Sequence, residues 1–191
     1  TYVRDFDIPV RVDGKRYFIN FEGVGSYAHI KLNGHDLGRH PSGRTSLTFD
    51  VSDYLNYGGT NTLEVLADHP EMISDMPWVC GGCSSEWGFS EGSQPFGIFR
   101  PVQLEITDEV RVEPFGVHIW NNAKCDSVFV ETEIKNYSDK PATFDFVNKF
   151  VNADGRQVFR LSEHLTLNPG ETRVVTQSSP VADAHLWDTG D

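Results

Sequence analysis

Apolar and polar residues trade places every second position in segment after segment of this chain, and that period admits few folds. Tyr17, Ile19 and Phe21 alternate with Arg16, Phe18 and Asn20. Ile30 and Leu32 alternate with His29 and Lys31. Leu47, Phe49 and Val51 alternate with Thr48 and Asp50, and Val102, Leu104 and Ile106 alternate with Gln103 and Glu105. A repeat of two is that of a half-buried strand, whose successive side chains point to opposite faces. Turn signals separate the strands: Asp13-Gly14, Asn33-Gly34, Gly58-Gly59, Asn152-Ala153-Asp154-Gly155 and Asn168-Pro169-Gly170. Strands recurring every 8–12 residues or so, punctuated in this way, belong to sandwiches or barrels. No segment sustains a period of 3.6. The nearest, residues 52–58, predicts one short helical turn capped by Ser52 and Asp53 and ended by Gly58.

The 191 residues suffice for one large or two modest domains. The alternation closes at Thr107 and restarts at Val110, which predicts two domains, residues 1–109 and 110–191. The second holds about five strands joined by hairpin-like turns, the rhythm of an immunoglobulin-like β-sandwich, without the Cys–Trp–Cys signature of antibody domains. No strand follows His185-Leu186-Trp187, so this domain is expected to be truncated at its last strand.

Charge narrows the partners. The net charge is −12, and no Lys/Arg cluster is evident, which argues against nucleic acid and anionic membranes. No apolar run approaches the roughly 20 residues of a membrane span. Three cysteines are too few for a disulfide scaffold. The chain opens directly on a strand, with no targeting segment visible.

The stretch from Phe21 to Asp68 resembles the N-terminal sugar-binding domain of glycoside hydrolase family 2, the family of β-galactosidases, β-glucuronidases and β-mannosidases. The residues that carry the resemblance are Phe21, Gly23, Val24, Asn33, Gly34, Gly38, His40, Gly43, Phe49, Asp50, Val51, Ser52, Asp53, Leu55, Asn61, Leu63 and Val65. Gly97, Ile98, Arg100, Val102 and Leu104 match the motif that closes the same domain, and Leu186-Trp187 is similar to the end of the second. The resemblance implies an all-β chain, a galactose-binding-domain-like jelly roll followed by the immunoglobulin-like sandwich. It also implies that the parent is a retaining glycosidase whose two catalytic carboxylates, about 5–5.5 Å apart, lie on a (β/α)8 barrel. No such barrel fits here, so the chain alone is expected to have no catalytic residues. Its implied partners are a carbohydrate and the barrel, and its implied setting is periplasmic or secreted. One departure matters: the β-galactosidase branch commonly has an aspartate after the motif arginine, and this chain has Pro101.

Asn33-Gly34 suits a type I′ hairpin, which needs positive φ twice. Asp50 and Asp53 are placed to cap the following turn. Arg100, at the head of an expected core strand, is read as buried, paired, and pinning the loop over residues 70–99, because an unpaired buried guanidinium is costly. That long loop holds the candidates for a glycan rim: Trp78 and Trp87 to stack on sugar rings, Glu86 and Glu91 to accept hydroxyl hydrogen bonds. Packing against a neighbouring domain is the alternative role for its aromatics. Cys80 and Cys83 have the spacing of a loop-stapling disulfide or of half a zinc site, with free thiols as the default. A structural calcium ion, held by clustered oxygens, is compatible with a jelly roll but has no assignable ligands. His29 and His40 read as hydrogen-bonded structural residues, and Ser84-Ser85 has no activating base nearby in sequence. Two readings compete with the hydrolase one: a stand-alone lectin-like carbohydrate-binding module, and a structural or adhesive β-protein.

Overall fold

The computed structural model describes residues 1–191 except 26, 42, 44, 69–83, 86–87, 90–96, 183 and 185–191, and only the backbone of residues 84–85 and 88–89. The described residues are all-β, without a helix, and the chain divides into two compact units, Thr1–Ile106 and Thr107–Asp191.

In the first unit the strands are β1 (Tyr2–Asp7), β2 (Lys15–Phe21), β3 (Val24–Gly25), β4 (Tyr27–Leu32), β5 (His35–His40), β6 (Leu47–Asp50), β7 (Thr60–Asp68), β8 (Ser84–Ser85), β9 (Gly88–Phe89), β10 (Gly97–Ile98) and β11 (Val102–Asp108). They form an antiparallel sheet in the order β1-β7-β4-β5, a second in the order β11-β2-β6, and the short pairs β10-β3 and β8-β9. The period-two pattern is what buries the core. Ala28, Ile30 and Leu32 of β4 are fully buried, while Tyr27, His29 and Lys31 between them are half-buried. Tyr17, Ile19 and Phe21 of β2, Val24, Leu47, Val51 and Val65 join them in one cluster.

Three sequence expectations need correction. Phe18 alternates with core residues, yet it is 2% exposed, so this part of β2 is covered on both faces. β11 is an edge strand and not a core strand, and its Val102 and Ile106 are exposed. Residues 52–58 form turns and no helix. The Asn56 N–H donates to Asn61 Oδ1 at 2.7 Å instead of to the carbonyl four residues back, and that carbonyl, of Ser52, accepts the Tyr57 hydroxyl at 2.8 Å. Two side chains have taken the partners a helix would need.

The second unit contains β12 (Val110–Asn121), β13 (Ser127–Asn136), β14 (Ala142–Val151), β15 (Gln157–Leu167) and β16 (Thr172–Pro180). One sheet runs β12-β13-β16, and β14 pairs with β15 as a long hairpin. Ile134, Phe146, Leu165, Leu167 and Val175 bring both layers into one core. Asn136 is completely buried there. Its amide nitrogen donates to the carbonyls of Lys140, Leu167 and Asn168, and its oxygen accepts the backbone N–H and the hydroxyl of Ser138. The chain irregularity in β12 falls at Phe115, whose φ is 59°, between the paired positions Val112 and Val117.

The hydroxyl of Thr132, buried in this unit, has no hydrogen-bond partner among the described residues. A valine has the same shape without the desolvated oxygen. Thr132→Val is therefore expected to raise the unfolding free energy by about 1 kcal/mol, read from urea denaturation.

Candidate functional site

The residues that carry the family resemblance assemble into two polar knots and one apolar cleft in the first unit. The first knot is centred on Asn61, at the start of β7 and fully buried. Its carboxamide oxygen accepts from Asn33 Nδ2 at 2.8 Å and from the Asn56 N–H, while its nitrogen donates to the carbonyls of Asn56 and Gly59 at 3.2 Å each. Asn33 in turn donates to the Tyr54 carbonyl at 2.7 Å and accepts the Thr62 N–H at 2.9 Å. Asn33 and Gly34 are the two central residues of the β4–β5 hairpin, with φ of 51° and 80°, the type I′ signature. The turn thus presents its asparagine to β7 and to the 51–58 segment together.

The second knot joins β2 to the end of β6. Asp50 Oδ2 accepts from Arg16 Nη2 at 2.6 Å and Nε at 3.2 Å. Asp50 Oδ1 accepts the Ser52 hydroxyl at 2.7 Å and its N–H at 3.1 Å, which closes the turn, and the Ser52 oxygen accepts the Tyr17 N–H at 2.9 Å. Asp53 is exposed and stands 3.6 Å from the same guanidinium. Burial works to lower the pKa of Arg16, but Asp50, by hydrogen bond and by charge, more than reverses this and raises it. Arg16 was not among the residues singled out from the sequence, since it sits on the polar phase of its strand.

The closing motif builds a third feature. Gly97, with φ of 63°, pairs with Gly25, and the Tyr2 hydroxyl lies where a Cβ would project from it, so the position excludes side chains twice over. Gly23 is similarly crossed by the Phe99 ring and the Arg100 stem. Arg100 itself is exposed, contrary to the sequence reading. Its aliphatic stem lies over Gly23, so no buried charge needs compensation and the desolvation argument for a pinning role falls. Between the edge strands β1 and β11 opens a cleft of about 600 Å³, lined by Tyr2, Val3 and Phe6 of β1, by Ile19, Leu63 and Val65 from the core, and by Ile98, Val102 and Leu104 of the motif. Among the described residues, Arg4 and Gln103 are its only charged and amide side chains. Such a lining takes up apolar groups; among the described residues it holds no pair of carboxylates for acid–base work.

Trp78, Glu86, Trp87 and Glu91 lie outside the described residues, as do Cys80, Cys83, His69 and Trp187. Cys125 carries a free thiol. The two histidines are both hydrogen-bonded: His29 Nε2 lies 2.9 Å from Asp36 Oδ2, and His40 Nε2 lies 2.7 Å from the Thr45 hydroxyl. The contact with His29 holds the Asp36 carboxyl below its usual value.

Residues 1–75 match the family model described as glycosyl hydrolase 2 galactose-binding domain-like. The chain is 26% identical over 202 residues to a β-glucuronidase of Formosa agariphila, an alignment covering 98% of this chain and 20% of that protein. It is 27% identical over 190 residues to the β-galactosidase BoGH2A of Bacteroides ovatus, covering 98% of this chain and 21% of that protein. Its fold superposes on the crystal structure of a Bacteroides uniformis β-glucuronidase with a TM-score of 0.79 at 22% identity, over 97% of this chain and 22% of that one. The chain therefore spans about a fifth of the length of the curated relatives it matches.

Two measurements test this account. Asn61→Ala removes a partner from the Asn33 amide and from three backbone groups, the Asn56 N–H and the carbonyls of Asn56 and Gly59, and should lower the unfolding free energy by about 3 kcal/mol in urea titrations. Burial holds the His40 imidazole below its ordinary value, and its Thr45 contact offsets only part of that. Its folded pKa being depressed, the neutral form is favoured in the fold. That stability is present above the unfolded value of about 6.5 and is lost as pH falls below it. Melting temperatures of wild type should decline from about pH 7 to pH 5 more steeply than those of His40→Gln.

Proposed function

We propose, for a chain whose residues 1–75 match the galactose-binding-like domain of glycoside hydrolase family 2, that it is the non-catalytic N-terminal part of a retaining O-glycosidase. In this reading the first unit supports a (β/α)8 barrel and shapes the mouth of its glycan site, and the second acts as a spacer. The observation that carries it is one of proportion. The match runs through 98% of this chain but only a fifth of each relative, so relatives named for β-glucuronidase and β-galactosidase activity keep most of their length elsewhere. The described residues are consistent with the division of labour. Asn33, Asp50, Ser52 and Asn61, polar residues that carry the resemblance, are engaged in the two knots, and the cleft between β1 and β11 has a mainly apolar lining among the described residues. The parent is expected to be exported, and its sugar is not fixed by the residues described: Pro101, at the position where an aspartate marks the β-galactosidase branch, gives its carbonyl to the Glu22 N–H at 3.1 Å and brings no carboxylate.

The direct test compares the 191-residue chain with the full-length protein that contains it, on aryl β-glucuronides and aryl β-galactosides. The chain alone should release no aryl group above buffer. The full-length protein should turn over one of the two series with retention of anomeric configuration, followed by NMR of the first-formed product. Turnover by the chain alone, or none by the full-length protein on any aryl glycoside, would refute the assignment.

A further inference from the structure

The hairpin of β14 and β15 carries an arrangement that stability alone does not favour. Lys149 stands directly opposite Arg160 in the antiparallel register, and both are exposed. Like charges in direct cross-strand register repel, on a scale of roughly 0.2–1 kcal/mol. Arg156 follows in the same tip. Residues 149–160 thus hold three of the chain's 16 cations and one acid, Asp154, in a protein of net charge −12. None of the three cations has an ion-pair partner among the described residues.

The surroundings point to what such a pair could hold. Phe144, Phe146 and Leu165 take the core side of the hairpin, so by alternation Lys149 and Arg160 stand on its solvent side. At one end of that side are Val151 and Val158, each 61% exposed. On the other follow the rungs Val147 and Ser162, then Asp145 with His164 at 2.7 Å, then Thr143 with Thr166 at 2.9 Å. The face is a ribbon two strands wide, about 10 Å, and about 27 Å long from residue 143 to 151. That is roughly a third of the 800 Å² or so that each side of a stable protein–protein interface buries. It is a track for one slender chain bearing negative charge, hydroxyls and an apolar face.

We propose that this ribbon binds a uronate-bearing oligosaccharide. A carboxylate sits between the Arg160 guanidinium, which can chelate both oxygens, and the Lys149 ammonium, and it removes their mutual repulsion. The C–H face of the sugar ring lies on Val151 and Val158. Hydroxyls of the next residues meet Ser162 and the His164–Asp145 pair. The inference rests on the reading of the chain as part of a glycan-processing protein, and it concerns the exposed face of the β14–β15 hairpin.

The test is calorimetric titration of the 191-residue chain with a galacturonate hexamer, a neutral glucose hexamer and a glutamate hexapeptide. Binding of the uronate alone is expected, weakened by about tenfold or more in Kd in Lys149→Ala and in Arg160→Ala, and suppressed near 0.5 M salt. No heat with the uronate, unchanged affinity in both variants, or equal affinity for the glutamate peptide would each overturn it. Lys149→Glu guards against misfolding: it pairs with Arg160, so its melting temperature should hold or rise while uronate binding disappears. Retained uronate binding in that variant would also overturn the proposal. Failure here leaves the glycosidase assignment standing, because that is read from turnover by the full-length protein.

Discussion

The carboxamide of Asn61 is the point on which the first unit turns. A buried amide with four hydrogen-bonding positions filled is stabilising only while every partner stays in place, since each stranded group costs more than a made bond contributes. That asymmetry makes the knot a specifier of geometry. The β4–β5 turn must present Asn33, the 51–58 segment must stay non-helical to offer Asn56, and β7 must start where it does. The second unit uses the same device independently, with Asn136 filling its positions from the turns at Lys140, Leu167 and Asn168 and from Ser138. Both sandwiches fix their connections by a buried asparagine and leave their faces to apolar packing.

Much of this was legible in the sequence, for a physical reason. Period-two alternation is a direct consequence of strand geometry, so β2, β4 and β6 and the turns at Asn33-Gly34 and Asn152–Gly155 follow from residue order alone. Position within a sheet is not encoded that way. Val102, Leu104 and Ile106 alternate as well as any core strand, but β11 lies at an edge, and Val102 and Ile106 are exposed there. Phe18 fails in the opposite sense: alternation makes it an outward residue, and tertiary structure covers it.

Polar residues were harder to read, because their role depends on who reaches them. Arg16 and Arg100 look alike in the chain, each an arginine at the head of an alternating strand. The first is clamped by Asp50 and the second lies exposed with its stem over a glycine. Only the register β2–β6 brings Asp50 to Arg16, and register is a long-range property. The opposition of Lys149 and Arg160 is of the same kind. Eleven positions apart in the chain, they become neighbours once the four-residue turn and its bulge set the pairing of β14 with β15.

The Asn33-Gly34 turn has a chemical consequence beyond its shape. An asparagine followed by glycine is the dipeptide most open to spontaneous deamidation, because the unhindered glycine nitrogen can attack the side-chain carbonyl and expel ammonia. In this fold the carboxamide is held by Tyr54, Asn61 and the Thr62 N–H, so the attack must wait for local opening. The product would be harsher than the loss of one bond. A carboxylate at position 33 has no N–H to give, and it would face the Tyr54 carbonyl and the Asn61 oxygen, acceptor against acceptor. Each opening that ends in cyclisation would therefore leave a molecule unable to close the knot again. For this protein the chemical clock of ageing would run on the lifetime of one hairpin turn.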